Sequence, residues 1–310
     1  MQFCSSAPKP SASSHAAYVF LAVTWGLSFL VLLKVVHAFG WVGAVTLRAL
    51  IAGITLFLLA AVTRRRLDFS AGWWHFAMVG ATTVAAQLIG LSYATPRIGT
   101  AMAAILVAAI PLFSMIIGQL WGLERIAVRG LAGLLLGAAG IIILVGFPAV
   151  PVTASFAIGC AASLFSSFSA AFGSNYANRH LRSARSLELT SAAFLFGGLM
   201  TLPLLLAVPV PAMPRSVDFL YLAILACVMS ALTYVVYFRL VASIGATRTI
   251  SVEFAVTTIA VLAGTIVLGE SLTLIQGFGA VAIIGGCILV LDPFPRSLKA
   301  AALPSASPLV

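Results

Sequence analysis

Long apolar stretches, separated by short polar breaks, run along almost the whole chain. Each stretch has about 20 residues, the length that a helix needs to cross a bilayer. The stretches are too long and too uniformly apolar for the alternating strands of a membrane barrel, so they predict helices. Ten such helices are predicted: Ala16–Val36, Trp41–Val62, Trp73–Ala94, Thr100–Trp121, Val128–Phe147, Ala154–Tyr176, Leu187–Ala207, Val217–Leu240, Ala246–Leu268 and Leu272–Leu291.

The composition excludes an aqueous globular domain. The chain is 62% hydrophobic and 8% charged, with a mean hydropathy of +1.16, whereas soluble domains carry roughly 25% charged residues. The predicted fold class is therefore all-α and integral to a membrane. Residues 1–15 form a predicted disordered tail and residues 293–310 a second polar tail. The first apolar stretch is too long for a signal peptide, so it is predicted to be a retained helix.

The net charge of +10 and the pI of about 10.1 allow two interpretations. A basic chain can bind nucleic acid, but membrane proteins also collect Lys and Arg in their cytoplasmic loops. The second interpretation is favoured, with no nucleic-acid partner, because the basic residues lie between the apolar stretches. Both termini are then predicted to be cytoplasmic. The predicted cytoplasmic side carries Lys9, Arg64, Arg65, Arg66, Arg125, Arg179, Arg182, Arg185, Arg296 and Lys299, and the other side Lys34, Arg97 and Arg215.

An internal repeat relates the two halves of the chain. Moved forward by 146 positions, Ile98–Gly146 aligns with Ile244–Asp292 without a gap, with eight identities in 49 positions. The identities include four glycines and the pair Glu124 and Glu270, in a chain with few carboxylates. Such repeats decide the architecture of a fold.

An odd number of helices in each half predicts that the halves are inverted. Five helices per half place the second copy upside down in the membrane, as in many secondary transporters. The predicted domains are a first five-helix repeat at 16–147, a Pro-rich linker at 148–153 and an inverted second repeat at 154–292. Small residues at helix-packing spacings mark the fifth and tenth helices as scaffold; they are Gly130, Gly133, Gly137, Gly140, Gly277, Gly279, Gly285 and Gly286.

Short motifs in the first half resemble those of the drug/metabolite transporter superfamily, in particular its ten-helix exporters with two EamA-type domains. Trp25-Gly26 lies in the first helix, Arg48 in the second and Glu124 after the fourth, and Glu270 repeats Glu124. The second half has no Arg at the position equivalent to Arg48. The chain looks most like bacterial aromatic amino acid exporters of the YddG type. The resemblance implies alternating-access export of amino acids, including aromatic ones, and related small amphipathic metabolites.

Two ionisable residues lie well inside predicted helices, where polar groups are costly and usually face a cavity. Arg48 either receives a substrate carboxylate or fixes helices by capping carbonyls. Glu253 is either a proton site or ligand for an amino group, or a partner for Arg239 or Arg248. The remaining predicted substrate-binding residues have aromatic faces or small polar groups, which also suit packing or an interface belt; they are Trp25, Ser28, Gln87, Tyr93, Ser163, Tyr234 and Tyr237.

Two further pairs of equivalent positions are predicted to be structural. Glu124 and Glu270 follow helices and can each accept hydrogen bonds from the backbone at the start of the next helix. Pro111 removes a backbone hydrogen bond in the middle of the fourth helix, and its equivalent is Thr257. Irregular backbone at both positions predicts a site at the midplane between the repeats.

Other function classes have less support. The chain has no HExxH, GxSxG or Walker motif, so it is predicted not to be an enzyme or a primary pump. Four scattered cysteines suggest packing and no metal or cofactor. A transporter of nucleosides, sugar phosphates or drugs within the same superfamily remains an alternative, as does a channel. The expected partners are amino acids and the lipid bilayer, and the expected state is a monomer or weak dimer.

Overall fold

The chain is helical throughout the part that the computed structural model describes. These residues are 12–65, 67–70, 72–122, 128–146, 153–208, 210–211, 213–244, 249–250 and 252–291, and none of them lies in a strand. The all-α prediction is therefore confirmed for these ranges. The tail beyond residue 292, Glu124 and Arg248 lie outside them.

The first half begins with a long helix that bends once. α1 spans Ala12–Val62 and is interrupted at Gly40, whose φ of 72° is in the region that favours glycine. The break separates limbs at 12–39 and 41–62, which correspond to the first two predicted helices. α1 starts inside the predicted tail 1–15. The following elements are α2 (Trp73–Val79), a π-helical segment (Gly80–Ala86), α3 (Gln87–Ile98), α4 (Thr100–Val107), α5 (Ile110–Leu120) and α6 (Val128–Gly146).

The second half repeats this order of elements. α7 begins where Thr153 accepts a hydrogen bond from the Phe156 backbone N–H at 3.1 Å, as an N-cap does. The elements are α7 (Ala154–His180), α8 (Ser186–Thr201), α9 (Leu204–Ala207), α10 (Ser216–Ala223), a π-helical segment (Ile224–Leu232), α11 (Thr233–Ile244), α12 (Val252–Val267) and α13 (Leu274–Leu291).

Six helical segments of the described chain are long and apolar enough to cross a membrane. The first of them contains both limbs of α1, and α6, α12 and α13 supply shorter apolar helices. The chain is thus a multi-pass helical membrane protein, whereas the count of ten crossings and the inverted halves stay predictions. The six segments are His15–Val62, Trp73–Ile98, Thr100–Leu120, Ala154–His180, Ser186–Ala207 and Ser216–Ser243.

The fourth predicted helix is broken just before Pro111. α4 ends at Val107, Ala108 and Ala109 form a turn, and α5 starts at Ile110 with the proline in its first turn. Proline is tolerated there because the first N–H groups of a helix have no partner within it. The equivalent Thr257 donates its hydroxyl to the Ala104 carbonyl at 3.1 Å. Thr257 lies inside the helix Val252–Val267, which has no break, so the predicted irregular backbone at this position is wrong. Its hydrogen bond to Ala104 nevertheless joins the two halves at this level.

Glycines bring α6 and α13 into close contact. A Cβ on Gly140 would lie 2.7 Å from the Gly279 carbonyl oxygen, and one on Gly286 would lie 2.5 Å from the Gly133 carbonyl oxygen. The earlier glycine of α6, Gly133, meets the later glycine of α13, Gly286, and the later one, Gly140, meets Gly279. The two helices therefore run antiparallel. Gly133 and Gly140 are the repeat equivalents of Gly279 and Gly286. Each helix therefore uses the same two glycines against the other.

Glu270 caps a helix in the other half of the chain. Its carboxylate accepts hydrogen bonds from the Thr100 N–H and hydroxyl and from the Ala101 N–H, each at 2.7 Å. The predicted cap on the next helix in sequence is wrong for Glu270, because Thr273 and Gln276 already cap the start of α13 reciprocally. Glu270 stabilises the start of α4 instead and ties the two halves together.

Candidate functional site

A small cavity lies between the helices of the bundle. Its volume is about 50 Å³, and its walls come from the two limbs of α1, from α3, α4, α11 and α12. Ligand pockets of proteins usually measure about 300–1,000 Å³, so the cavity in this conformation holds only a few water molecules. This central cavity is lined by Trp25, Ser28, Phe29, Leu32, Arg48, Gln87, Leu88, Leu91, Val107, Tyr234, Glu253 and Val256.

A second, smaller cavity continues from the first. This inner cavity has a volume of about 20 Å³. It lies closer to the end of the bundle that carries Arg64, Arg65, Arg179, Arg182 and Arg185, which we call the basic end. The side chains that line both cavities are Trp25, Gln87, Tyr234 and Glu253, and those found only in the inner one are Thr83, Ile110, Ala170, Ser174, Tyr237 and Phe238.

Trp25 fills the space between the two cavities. Its indole N–H donates to the Thr233 hydroxyl at 2.9 Å, and its ring centroid lies 5.4 Å from Tyr234 and 5.3 Å from Tyr237. These are the edge-on and tilted distances that aromatic rings prefer. The Tyr237 hydroxyl lies 3.1 Å from that of Ser174 on α7. Trp25, Tyr234 and Tyr237 thus form a continuous aromatic wall beside the two cavities.

Arg48 is held by the irregular part of the eighth predicted helix. It is 4% exposed, and its Nε donates to the Ser230 hydroxyl. Ser230 donates in turn to the Leu225 carbonyl five residues earlier, within the π-helical segment. Such segments frequently occur at functional sites. Here the π turn positions the hydroxyl that orients the guanidinium.

Glu253 faces the central cavity without an ion-pair partner among the described residues. It is 8% exposed, and neither Arg48 nor Arg239 lies within salt-bridge distance of it. Arg239 lines a different pocket at the basic end. In the described part of the chain, Ser92 Oγ is the only fully buried side-chain N or O atom without a hydrogen bond. Glu253 lines both the central cavity and the smaller cavity next to it.

The internal repeat relates positions in the cavity walls. Val107 and Glu253 are equivalent under the 146-residue shift, and both line the central cavity. The same shift relates Leu88 to Tyr234, which also line it together. The first half supplies an aliphatic side chain in each case and the second half a polar one. Arg48 is the charged residue that the first half contributes to the central cavity.

The structure brings seven of the nine predicted substrate-binding residues together at the two cavities. Tyr93 and Ser163 line neither of them. Tyr93 packs against the Trp41 ring at 5.2 Å, with the Arg97 guanidinium 3.5 Å above its own ring. Ser163 is fully buried between helices and donates to the Ala103 carbonyl at 3.4 Å. The seven are Trp25, Ser28, Arg48, Gln87, Tyr234, Tyr237 and Glu253.

Sequence reasoning missed the small polar residues that hold the others in place. Ser230 binds Arg48, Thr233 binds Trp25, and Ser174 contacts Tyr237. A signal was present on one helix, because Ser230, Thr233, Tyr234 and Tyr237 recur at intervals of three and four residues and so share a face. No such signal marks Ser174.

The structure shows no metal centre in the ranges that it describes. No three His, Cys, Asp or Glu side chains there are close enough to hold an ion. His75 and His180 stack at 5.1 Å at the basic end, beside Tyr176. Cys160 and Cys227 are both free thiols.

These features define a polytopic helical membrane protein with a small internal cavity lined by Arg48 and Glu253, which is an arrangement typical of membrane transporters. A model of the EamA-like transporter family matches residues 14–146 and 157–292. The chain belongs to this family.

Known relatives agree with this assignment. The chain is 27% identical over 275 residues to Protein PecM of Dickeya dadantii (strain 3937), covering 86% of this chain and 89% of the relative. A protein of known crystal structure superposes with a TM-score of 0.64 over 90% of this chain and 96% of its own, at 15% identity. The second comparison supports the fold alone.

Proposed function

We propose that the protein is a secondary transporter that exports amino acids, including aromatic ones, and related small amphipathic metabolites by alternating access. The substrate is not chemically changed during transport. The protein lies in a bacterial inner membrane, with both termini in the cytoplasm. The observation that carries the proposal is the presence of Arg48 and Glu253 in the wall of one cavity without an ion pair between them.

Two opposite charges that line one cavity without an ion pair between them fit a zwitterionic substrate. Buried charges are costly unless they are paired. A carboxylate at Arg48 and an ammonium group at Glu253 would compensate both residues at once. The Ser230 hydrogen bond uses only the Nε of Arg48, which leaves its terminal nitrogens for the substrate.

The aromatic wall supports a substrate with an apolar or aromatic side chain. Trp25, Tyr234 and Tyr237 offer ring faces next to the charged pair. Ring pairs contribute about 0.5–1.5 kcal/mol beyond the burial of their area. A bound aromatic side chain would take the place of the contacts that the Trp25 ring makes with Tyr234 and Tyr237 in this conformation.

Three observations support two inverted halves that move against each other. α6 and α13 run antiparallel through equivalent glycines. π-helical segments interrupt the equivalent helices at Gly80–Ala86 and Ile224–Leu232. The family model matches the chain twice. A cavity of about 50 Å³ would belong to a contracted state of this cycle, because a bound amino acid needs more room.

Counterflow into proteoliposomes tests the proposal. Vesicles are loaded with unlabelled phenylalanine, leucine, a nucleoside, a sugar phosphate or a hydrophobic cation, and entry of the labelled compound is followed. We expect transient accumulation of labelled phenylalanine and leucine. Counterflow of only the nucleoside, the sugar phosphate or the cation would assign another substrate class, and flux that follows the gradient without accumulation would indicate a channel.

A further inference from the structure

The largest of the pockets described here lies at the basic end and away from the central cavity. It has a volume of about 330 Å³ and lies where the second limb of α1 ends, where α8 begins and beside the first two turns of α11. It is lined by Leu59, Thr63, Arg65, Leu67, Arg185, Ser186, Leu187, Glu188, Val235 and Arg239. None of these residues belongs to the proposed substrate site.

Three arginines and one carboxylate give this pocket its charge. Glu188 is 2% exposed, and its carboxylate accepts hydrogen bonds from the backbone N–H groups of Asp68 at 3.2 Å and Arg185 at 3.0 Å. The Arg185 Nε lies 3.7 Å from the same carboxylate. Glu188 thus holds the wall of the pocket together and offsets one cation, which leaves two positive charges.

The other two cations have no partner in the described part of the chain. No hydrogen bond, ion pair or aromatic ring engages the side chains of Arg65 or Arg239 there. Arg97 and Arg179 differ from them, because each lies over an aromatic ring, that of Tyr93 or of Trp121. Arg239 is also inside α11, so an excess of basic residues in loops does not explain it.

Apolar side chains form the rest of the pocket. Leu59 is 50% exposed, and Leu67, Leu187 and Val235 extend the apolar lining. Two predicted crossings end at this level, at Val62 and at Ser186. Lipid headgroups lie at the ends of crossings, and basic pockets between helices on the cytoplasmic side bind anionic headgroups.

We propose that this pocket binds a phosphate-bearing anion, and specifically the headgroup of an anionic phospholipid. Arg65 and Arg239 contact the phosphodiester, and the apolar lining takes the first part of an acyl chain. A free phosphate ester shares the headgroup chemistry but has no use for the apolar wall. The inference does not depend on the identity of the transported substrate.

Lipid binding to the full-length protein in detergent tests this proposal. Native mass spectrometry counts bound dioleoyl-phosphatidylglycerol and dioleoyl-phosphatidylcholine, and thermal unfolding follows the same titration. The test variant is the pair Arg65→Gln and Arg239→Gln. The matched control is the pair Arg64→Gln and Arg179→Gln, which removes the same charge at the same end outside the pocket.

The wild-type protein and the control are expected to retain phosphatidylglycerol in preference to phosphatidylcholine. The test variant should bind phosphatidylglycerol about tenfold more weakly, and added salt should reduce the difference. Equal retention by the test and control variants would overturn the proposal. If soluble glycerol phosphate displaces the lipid at equal concentration, the pocket takes a free phosphate ester, and the assignment of a phospholipid as its ligand is overturned. The mass spectrometry is done without heating, so a less stable variant still gives a decisive count.

Discussion

Glu253 occupies in the second half of the chain the position that Val107 occupies in the first half, and both side chains line the central cavity. The relationship follows from the internal repeat and from the contact between the two halves at the break before Pro111. The two halves therefore place side chains of different chemistry at equivalent positions of the cavity wall. The predictions below separate the residues that act on substrate from those that hold the halves together.

Replacing the cavity carboxylate should remove the pH dependence of substrate binding. In the wild-type protein, KM for phenylalanine should rise as the medium is acidified far enough to protonate the carboxyl, because a protonated carboxyl no longer attracts an ammonium group. The Glu253→Gln variant should have a raised KM that hardly changes with pH. The check is KM measured at several pH values in proteoliposomes. A variant that keeps the wild-type pH profile would exclude Glu253 from this role.

Replacing the cavity guanidinium should discriminate between substrates with and without a carboxylate. Hydrogen bonds to charged groups contribute about 1.5–3 kcal/mol. Arg48→Gln should therefore raise KM for phenylalanine about 10- to 100-fold, with little change for an amine that lacks the carboxylate. The control Ser230→Ala keeps the charge and removes only its hydrogen-bond partner, so its effect should be smaller. Equal losses for both kinds of substrate in Arg48→Gln would contradict the assignment.

The glycine contact between α6 and α13 should be sensitive to one added methyl group. In Gly286→Ala, the new Cβ would lie 2.5 Å from the Gly133 carbonyl oxygen, so the helices must separate. Overpacking of this kind typically costs about 1–3 kcal/mol. Gly277→Ala on the same helix is the matched control, because nothing lies within 4 Å of its added Cβ. Thermal unfolding in detergent should show a lower Tm for Gly286→Ala alone, and equal Tm values would argue against this close packing.

The cap that Glu270 places on α4 should contribute to stability and not to substrate binding. Glu270→Ala removes three hydrogen bonds to a charged acceptor and should lower the free energy of unfolding by about 2 kcal/mol. Glu270→Gln keeps an acceptor and should lose less. Unfolding in denaturing detergent measures the difference. KM should be unchanged in folded protein, and a raised KM would place Glu270 in the transport path.

Much of the architecture could be predicted because it depends on local patterns. The helices could be predicted from the length of the uninterrupted apolar stretches, and the break near Pro111 from the missing N–H of proline. Glycine spacing predicted that α6 and α13 pack closely, and the structure shows that they pack on each other. The cap of Glu270 on α4 could not be predicted, because a carboxylate in a turn can serve any nearby helix start. Only tertiary structure shows that Thr100 lies beside it.

The site could be predicted for residues whose chemistry is unusual in lipid. Arg48 and Glu253 were singled out because charges in a membrane are rare, and both line the cavity. Ser163 and Tyr93 show the limit of this reasoning, since small hydroxyls and aromatic rings also serve helix packing and helix ends. The spacing of Ser230 places it on one helix face with Tyr234 and Tyr237, but the π-helical segments leave no recognised mark in the sequence, so its contact with Arg48 is visible only in the structure.

Alternate exposure of the two cavities is the most direct test of the central claim. In a background without the four native cysteines, Ser28→Cys reports on the central cavity and Ser174→Cys on the inner one. A membrane-impermeant maleimide is added from one side of oriented vesicles at a time. The account predicts that Ser28→Cys reacts from the side opposite the basic end, that Ser174→Cys reacts from the basic end, and that phenylalanine protects both. Reaction of both positions from one side, without protection by substrate, would contradict it.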